Sequence, residues 1–238
     1  MKKSVGDNIE TIKAGWSFGG DVAISFDEHV SKSVPLYNEG HEIVCGLSDF
    51  FIKTDSLVYE VGCSTGALIS KLAKHSDAKQ SARFVGVDIE PNMIDFASNK
   101  FSDVKNLNFI SDDFLLMDIE ESDFIVAYYT IQFIRPSLRQ ELINKIYNKL
   151  KWGGAFVMFE KVRGADARFQ DILTTLYNEY KINQGYSPSD ILTKSLSLKG
   201  VLEPFSTQGN VDMLKRAGFQ DINTVQKYLS FEGFLAIK

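Results

Sequence analysis

The stretch LVYEVGCSTGALISKLA, residues 57–73, decides the fold of this chain. Its first residues are largely apolar and predict a buried strand, and the apolar spacing after the turn predicts a helix. Gly62 and Gly66 allow the backbone to bend sharply between them and to approach a ligand closely. We expect Ser64 and Thr65 to cap the exposed amides at the start of the helix. Strand, glycine turn and helix in this order are typical of nucleotide-binding α/β folds.

A second strand, predicted over residues 83–88, ends in the carboxylate of Asp88, where a nucleotide-binding fold has an acceptor for ribose hydroxyls. The dinucleotide fingerprint needs a middle glycine in the turn, but Ser64 stands there and Glu60 precedes the turn. A carboxylate beside the turn repels a phosphate and favours a cationic ligand. The pattern E-x-G-x-x-x-G with a later acidic strand end resembles motifs I and II of class I S-adenosylmethionine (SAM) methyltransferases. The G-x-x-x-G part alone is also found at tight turns of other α/β proteins.

The composition is that of a soluble globular protein, with 44% hydrophobic and 24% charged residues among 238. Its formal net charge of −5, from 26 basic and 31 acidic residues, argues against non-specific binding of nucleic acid. No apolar run approaches the roughly 18 to 20 residues that span a bilayer, and the first residues lack the apolar core of a signal peptide. Cys45 and Cys63 do not make a disulfide framework, and no cluster has the spacing of metal ligands. We therefore expect a cytoplasmic protein that binds neither a membrane nor a metal ion.

Strand and helix patterns alternate regularly after residue 57, which predicts a Rossmann-like, doubly wound sheet. Gly153 and Gly154 are expected to end the helix that precedes the fifth strand. The last residues, 222–229 and 231–238, predict two strands joined by a tight turn. Such a hairpin adds the antiparallel strand of the seven-stranded methyltransferase sheet.

Two segments outside the strand–helix alternation are expected to surround the ligand. Residues 1–50 precede the first core strand and are predicted to form a helical extension that acts as a lid. Residues 162–208 form a helical insertion after strand five, which is expected to cover the substrate side. No linker is long enough to separate two independent units, so residues 1–238 are predicted to be one domain.

Eight stretches distributed over nearly the whole chain carry a narrower resemblance. They are W-S-F to V-P-L-Y within 16–37, V-Y-E-V-G-C-S-T-G at 58–66, T-I-Q-F at 130–133, K-I-Y-N-K-L-K-W-G-G-A at 145–155, F-E-K at 159–161, N-Q-G-Y-S at 183–187, K-R-A-G-F at 215–219 and F-L-A-I-K at 234–238. In these stretches the sequence resembles the carboxy-S-adenosylmethionine (carboxy-SAM) synthase family, which makes carboxy-SAM from SAM and prephenate for the modification of tRNA wobble uridines. The resemblance implies a common fold, SAM as the cofactor and a homodimer.

The resemblance also assigns cofactor contacts to residues of this chain. They fall on Tyr37, Gly62, Cys63, Ser64, Asp88, Ile89, Asp113, Phe114 and Tyr128, with Glu60 and Gly66 completing the motif around the turn. We expect Glu60 to receive the amino group of the cofactor, Asp88 its ribose hydroxyls and Asp113 its adenine amine. Each of these carboxylates could instead be a solvated side chain at a strand end.

Two positions depart from the family pattern. The family has an asparagine beside the cofactor where this chain has Tyr128. The family also has a Lys-Arg pair after the N-G-Y-S turn, and its arginine holds the carboxylate of carboxy-SAM, but this chain has Lys194 and Ser195. Serine supplies neither the charge nor the bidentate fork of arginine. Lys194 or Lys199 would compensate only as a point charge.

The acceptor side is predicted from the rule that ligands bind at the carboxyl ends of parallel strands. The residues at or after the ends of strands four and five are Tyr128, Tyr129, Gln132, Glu160, Lys161 and Arg163. Tyr128, Tyr129 and Glu160 are candidate general bases, while Lys161 and Arg163 would bind an acidic substrate or form a solvated rim. Trp16 is expected either to face the ligand from the lid or to seal the edge of the core.

Three functions remain open at this point. The first is a SAM-dependent methyltransferase that acts on a small molecule and releases S-adenosylhomocysteine (SAH). The second is a carboxy-SAM synthase with a rearranged carboxylate site. The third is a non-catalytic SAM-binding protein that uses the insertion to bind a partner.

Overall fold

The computed structural model describes residues 3–5, 10–11, 13–16, 18, 22–77 and 81–238. Ser17 of the W-S-F stretch and several other residues of the predicted lid lie outside these ranges. Two short strands pair antiparallel near the N-terminus, and seven further strands form the central sheet. In chain order the strands are β1 (Lys3–Ser4), β2 (Glu10–Thr11), β3 (Leu57–Val61), β4 (Arg83–Asp88), β5 (Leu107–Ser111), β6 (Ser122–Tyr128), β7 (Leu150–Lys161), β8 (Asp221–Tyr228) and β9 (Phe231–Ile237).

Helices connect these strands and also follow the last parallel strand. In chain order they are α1 (Val22–Ser33), α2 (Tyr37–Ser48), α3 (Ala67–His75), α4 (Pro91–Lys100), α5 (Pro136–Lys149), α6 (Ala167–Asn183), α7 (Pro188–Ser197) and α8 (Thr207–Ala217). A short 3-10 turn, Ile131–Phe133, follows β6. Among the described residues, no helix combines the length and the apolar character needed to cross a membrane.

The central sheet has the strand order β5-β4-β3-β6-β7-β9-β8. The five strands from β3 to β7 are parallel, and β9 runs antiparallel between β7 and β8. The predicted C-terminal hairpin is therefore β8 and β9, and the predicted helical insertion after the fifth parallel strand is α6 and α7. The predicted fold class, a doubly wound seven-stranded sheet of the class I methyltransferase type, is confirmed.

The central strands are largely apolar because helices cover both faces of the sheet. In β6, Ile125 and Ala127 belong to the core on the α5 and α8 side, while Phe124 and Val126 belong to the core on the α2 and α3 side. All four are completely buried. This burial fixes the register of β6, since a one-residue slip would exchange the two sets of side chains.

The predicted glycine stop at the end of α5 is wrong. The helix ends at Lys149 and β7 begins at the next residue, so that Gly153 and Gly154 lie within the strand. The amide of Gly153 donates to the carbonyl of Lys238 at 2.8 Å. The amide of Lys238 in turn donates to the carbonyl of Gly154 at 3.0 Å. A Cβ at position 154 would lie 2.8 Å from the carbonyl oxygen of Asp123. Gly154 therefore serves close strand packing, and Gly153 supplies the positive φ of +77° at that point of the strand, so neither ends a helix.

The insertion and the N-terminal segment meet at the carboxyl edge of the parallel strands. The amide of Ala14 donates to the carbonyl of Leu196 in α7 at 3.0 Å. The Tyr177 hydroxyl of α6 donates to the carbonyl of Ser33 at the end of α1 at 2.8 Å. These bonds hold α1, α6 and α7 together above the edge where ligands bind in this class of sheet.

Candidate active site

A cavity of about 1330 Å³ lies at the carboxyl ends of β3, β4, β6 and β7. Helices α1, α6 and α7 and the segment around Trp16 contribute its other walls. The predicted site residues that line it are Trp16, Tyr37, Glu60, Gly62, Cys63, Ser64, Asp88, Ile89, Asp113, Phe114, Tyr128, Tyr129, Gln132, Lys161, Arg163 and Lys194. Gly66 and Glu160 do not line the cavity.

The glycine turn after β3 is held by backbone bonds to the next strand. The amides of Gly62 and Cys63 donate to the carbonyl of Val87 at 2.8 and 3.0 Å. Gly62 has a φ of +69°, and a Cβ there would overlap the side chain of Thr130. Gly66 has a φ of +75°, and a Cβ there would lie 2.6 Å from the ring of Phe109. Both glycines are thus required by close packing, Gly62 against Thr130 at the cavity wall and Gly66 against Phe109 behind it.

The predicted capping of α3 by Ser64 and Thr65 is wrong. The N-cap residue of α3 is Gly66, and no side chain of the N-cap position binds an amide of the helix. Ser64 has a φ of +52° and its hydroxyl donates to the sulfur of Met93, while the Thr65 hydroxyl donates to the carboxylate of Asp27. An amide of the first helical turn is instead bound by Glu60, whose Oε2 accepts from the amide of Ile69 at 2.9 Å. The carboxylate reaches this amide because the strand ends directly below the helix N-terminus.

Two acidic side chains form the cofactor side of the cavity. Asp88 accepts from the amide of Ser64 at 2.8 Å through Oδ2 and from the amide of Glu90 at 3.0 Å through Oδ1. Burial raises the pKa of Glu60 well above its usual range, and burial also raises the pKa of Asp88 against the effect of its amide bonds. A cationic or hydroxyl-bearing ligand would offset the cost of burying these carboxylates.

The cofactor side of the cavity continues past the ends of β4 and β5, where apolar side chains line it. Ile89 is 65% exposed although it is apolar, and it lies at the cavity rim. Phe114 is buried and packs edge to face against Tyr59. Asp113 accepts from the amide of Leu115 at 2.9 Å through one oxygen. An apolar surface beside a carboxylate suits a planar base that carries an amino group.

Three tyrosines form the wall at the end of β6. The Tyr128 hydroxyl donates to the carbonyl of Tyr37 at 2.6 Å, and its ring lies 5.1 Å from the Tyr37 ring. Burial raises the pKa of Tyr128 far above its usual range, which disfavours the ionised form that would act as a general base. Tyr129 has a φ of +59°, and its buried hydroxyl has no hydrogen-bond partner within the described chain. Strained backbone of this kind is uncommon outside functional sites.

Two predicted acceptor-side residues are occupied by bonds within the chain. Gln132 donates to the carbonyl of Tyr129 at 3.1 Å and accepts from the amide of Lys161 at 3.0 Å. Glu160 is buried outside the cavity and accepts from the amide of Ile131 at 2.9 Å. Burial raises the pKa of Glu160 to about 8. Glu160 holds the 3-10 turn and does not reach a substrate, because successive residues of β7 point to opposite faces of the sheet.

Basic side chains occupy the opposite side of the cavity. Lys161 is the last residue of β7, and Lys181 lies in α6. Both ammonium groups lie over the ring of Tyr177, at 4.3 and 4.4 Å from its centroid. The Nε of Arg163 donates to the carbonyl of Pro204 at 3.1 Å, and this side chain is exposed at the rim. Lys181 and Tyr177 were not predicted, because a helix pattern does not show which of its faces meets a cavity.

The lid side combines Trp16 with residues of α1 and α7. The Lys194 ammonium lies 2.7 Å from the centroid of the Trp16 ring and 3.2 Å from Nε2 of His29. The Trp16 and His29 rings stack with centroids 6.0 Å apart. Trp16 is buried and also lines the cavity. Its position therefore agrees with both alternatives predicted for it, a side chain that faces the ligand and one that seals the edge of the core.

Asp27 connects the lid to the glycine turn. Its carboxylate accepts from the Thr65 hydroxyl and pairs with Lys100 of α4 at 2.8 Å. The sequence gives no signal for this contact, because Asp27 and Thr65 are 38 residues apart. The position of α1 over the turn is therefore fixed by a contact that only the folded chain reveals.

The residues of the cavity fit SAM. Its amino and sulfonium groups are cationic, and the buried Glu60 and the half-buried Asp88 are acidic groups whose desolvation such a counter-charge or a hydroxyl partner would offset. The backbone of Gly62 lines the cavity without a side chain, so a ligand can approach it closely. Ile89 and Phe114 offer apolar surface to a base.

Known proteins resemble this chain in sequence and in fold. Residues 58–154 match a family model described as "Methyltransferase domain". The chain is 35% identical to carboxy-S-adenosyl-L-methionine synthase of Staphylococcus epidermidis, over 94% of this chain and 97% of that protein. It is 38% identical to the enzyme of the same name from Nautilia profundicola, over 95% of this chain and 96% of that protein.

Solved structures support the fold assignment. Human N-acetylserotonin methyltransferase in complex with SAM superposes with a TM-score of 0.63 at 20% identity, over 91% of this chain. The chain spans 54% of that protein. The SAM-dependent methyltransferase SibL gives a TM-score of 0.61 at 15% identity, over 84% of this chain and 55% of that protein. Together with the family match and the full-length relatives, these similarities identify SAM as the cofactor.

Proposed function

This chain belongs to the carboxy-S-adenosyl-L-methionine synthase family, and we propose that it is an enzyme that transfers the methyl group of SAM to a small-molecule acceptor. The acceptor enters the side of the cavity opposite Glu60 and Asp88. The proposal departs from the named activity of its relatives because Tyr128 and Ser195 stand where the resembling family has an asparagine and an arginine.

The observation that carries the proposal is the side chain composition of α7. Ser195 lines the cavity at the position where the resembling family has its carboxylate-binding arginine. The neighbouring Lys194 contacts Trp16 and His29. Within α7 no arginine is present, so this helix offers no bidentate partner to a carboxylate. Carboxy-SAM would therefore lack, in this chain, the arginine that binds its carboxylate in the resembling family. SAM has no such carboxylate and does not need that arginine.

The remaining residues support a displacement reaction that depends on positioning. SAM supplies an electrophilic methyl group when it is bound. Glu60 would hold its amino group, Asp88 its ribose hydroxyls, and Asp113 with Phe114 its base. Tyr37, Tyr128 and Tyr129 would exclude water from the reacting centre, since their rings cover the end of β6. Holding two reactants in near-attack geometry accounts for a large part of the rate in such reactions.

A second candidate is the activity by which the relatives are named. It is favoured by the similarity over 94–95% of the chain, which includes the insertion and the lid. In that case a different cation, such as Arg163 or Arg135 at the cavity rim, would have to bind the carboxylate.

Mass spectrometry of the nucleosides released from the protein distinguishes these functions. The purified protein is incubated with SAM alone, with SAM and prephenate, and with SAM and a panel of small-molecule acceptors. We expect SAH with a methylated acceptor and no carboxy-SAM. Carboxy-SAM formed by the wild-type protein would overturn the proposal in favour of the second candidate. SAM binding without any turnover would instead support a non-catalytic SAM-binding protein.

A substitution in α7 sharpens the comparison. Ser195→Arg returns a guanidinium to the cavity, and we expect it to raise the affinity for carboxy-SAM by about tenfold or more, the contribution of a charged hydrogen bond. Ser189→Arg is the matched control, because Ser189 lies in the same helix, is exposed and does not line the cavity. Equal affinity in both variants would show that α7 does not recognise this group.

A further inference from the structure

The segment after β5, residues 112–119, leaves the edge of the sheet and borders the cofactor side of the cavity. β5 is an edge strand, and directly after it the amide of Asp112 donates to the carbonyl of Asp88 at 3.0 Å. The outer side of the segment faces solvent, since Leu116 is 78% exposed. Three of its residues nevertheless line the cavity, namely Asp113, Phe114 and Leu115. Their position must therefore be fixed by contacts other than strand pairing.

A lysine of α5 binds the backbone of this segment. The Nζ atom of Lys145 donates to the carbonyls of Phe114 at 2.8 Å and Leu115 at 2.9 Å, and also to the carbonyl of Met117. An ammonium group has three donors, so these bonds use all of them. The same ammonium group lies 5.7 Å from the centre of the Phe114 ring. Lys145 thus binds three of four consecutive residues, beginning at the cavity wall.

The helix that carries Lys145 is a firm support for these bonds. Leu142, Ile143 and Ile146 of α5 are buried in the core on this face of the sheet. Lys145 is half-buried beside them. Taking an ammonium group partly out of water costs free energy unless its donors are bonded, and the three carbonyls bond them. The position of the segment is therefore tied to that of α5.

Asp113 begins the turn that Lys145 holds. Its Oδ1 accepts from the amide of Leu115 at 2.9 Å, and its carbonyl accepts from the amide of Met117 at 2.9 Å. The turn therefore begins at Asp113 and ends at carbonyls that are bound by Lys145. The other carboxylate oxygen, Oδ2, can accept from a ligand. The amino group of adenine is a donor that suits this oxygen beside the apolar cavity wall.

We propose that Lys145 is a positioning residue of the cofactor site. It fixes Asp113 and Phe114 against the base of the cofactor and thereby sets the preference for a base with an amino group. Lys145 does not itself line the cavity, so it acts through the backbone that it binds. The inference rests on the assignment of the base to Asp113 and Phe114 made above, and it is independent of the acceptor and of the group that is transferred.

The preference is measured as the ratio of two dissociation constants, determined by isothermal titration calorimetry. The ligands are SAH and S-inosylhomocysteine, whose base has a carbonyl in place of the amino group. We expect the wild-type protein to bind SAH about tenfold or more tightly, because a carboxylate binds the amino group and repels the carbonyl. Lys145→Met should reduce this ratio about fivefold by weakening SAH binding, with little change for S-inosylhomocysteine. Asp113→Asn should abolish the ratio, since its amide can donate to the carbonyl while its oxygen still accepts from the amide of Leu115.

Two further variants test whether the effect belongs to this position. Lys145→Arg keeps a cation with several donors and should retain most of the ratio. Lys149→Met is the matched control, because Lys149 lies one turn later in α5 and donates to the carbonyl of Ile119 at 2.6 Å. Its partner in an ion pair is the exposed Asp118 at 3.1 Å. Neither Ile119 nor Asp118 lines the cavity, so this variant should keep the wild-type ratio.

The ratio separates positioning from a role in stability alone. If Lys145→Met weakened both ligands equally, the ratio would not change and the inference would be overturned. A wild-type protein without a preference for SAH, or an equal loss of the ratio in Lys149→Met, would overturn it as well. Urea unfolding is recorded for every variant, and Lys145→Gln, which keeps two donors, replaces Lys145→Met if that variant does not fold. None of these measurements involves an acceptor, so their failure would leave the proposed methyl transfer to its own test.

Discussion

Glu60 binds a backbone amide of its own chain and also faces the cavity, so its two roles must be separated by substitution. Its Oε2 accepts from the amide of Ile69 at 2.9 Å. Glutamine retains an oxygen that accepts the same bond but has no charge. Glu60→Gln therefore leaves the turn between β3 and α3 in place and removes only the electrostatic attraction for a cationic ligand.

We expect Glu60→Gln to lower the affinity for SAH about tenfold, because a charged hydrogen bond to the amino group is lost. Burial raises the pKa of Glu60 well above its usual range, so the ionised form that attracts the amino group becomes more populated as the pH rises. The wild-type affinity should then increase as the pH rises, and that of the variant should not. Isothermal titration calorimetry measures both, with the exposed Glu42→Gln in α2 as the control. Parallel pH profiles in the two proteins would refute the assignment.

Glu160 has a role in stability that can be tested through pH. Its pKa is about 8 in the folded chain, compared with 4.5 ordinarily, because it is buried. As the pH rises, Glu160 therefore keeps its proton up to a higher pH in the folded state than in the unfolded state. The contribution of this difference to the free energy of unfolding is fully present below about pH 4.5 and is lost as the pH rises through about 8.

Between about pH 6 and 9 we expect the free energy of unfolding to decrease less in Glu160→Gln than in the wild-type protein. Glutamine cannot ionise, and it still accepts from the amide of Ile131. Each unit of pKa difference corresponds to about 1.4 kcal/mol. Urea unfolding at the two pH values provides the measurement, and the exposed Glu121→Gln should retain the wild-type pH dependence. If Glu160→Gln retains it as well, the pKa of Glu160 is not displaced in the folded chain.

At the scale of elements, the parallel strands and their helices could be predicted because their patterns are local. Each strand is a short apolar run, and the turn after β3 has its own residue signature. The glycine pair at 153 and 154 was misinterpreted because the same dipeptide suits a helix end and a strand that passes close to Asp123. The capping of α3 was misassigned for a related reason, since the side chain that binds its amides, Glu60, comes from the strand and not from the turn.

Contacts between elements distant in sequence were not predictable. Arg139 is 2% exposed, and its guanidinium donates to the carbonyls of Ile134, Gln132 and Glu203 at 2.8, 2.9 and 2.7 Å. It thereby joins α5 to the segment that follows α7, although a charged side chain of this kind is ordinarily expected to face the solvent. Lys181 is a similar case, because α6 places it against the cavity and not in solvent.

The contact between α1 and the glycine turn gives a prediction at this scale. Asp27→Asn removes the charge that pairs with Lys100 and weakens the bond from Thr65. Because Asp27 touches the turn and lies outside the sheet, we expect a several-fold increase in the dissociation constant for SAH with little change in the unfolding free energy. Fluorescence titration and urea unfolding report the two quantities. Glu28→Gln, in the next position of the same helix, breaks only an exposed pair with Lys32 and should change neither. An unchanged SAH affinity in Asp27→Asn would mean that α1 does not influence the turn.

At the scale of the whole molecule, charge is divided across the cavity although the chain is acidic overall. The side formed by β3 and β4 carries Glu60 and Asp88, and the side formed by β7 and α6 carries Lys161 and Lys181. A cationic cofactor and an anionic acceptor would therefore each be attracted to a different wall. Such an attraction would orient two oppositely charged ligands before any specific contact forms, and the separation of the charges follows from the order of the strands in the sheet.

The same arrangement predicts which parts of the molecule respond together to the cofactor. SAH at about 100 times its dissociation constant adds about 2.7 kcal/mol to the stability of the folded state. Because α1, α7 and the glycine turn all border the cavity, we expect hydrogen exchange of their amides to slow on addition of SAH. Amides of α8, which packs on the far face against α5, should change only as far as global unfolding is suppressed. Hydrogen-exchange mass spectrometry resolves these segments. Protection confined to the turn and β4, with α1 and α7 unchanged, would show that the lid and the insertion are not part of the cofactor site.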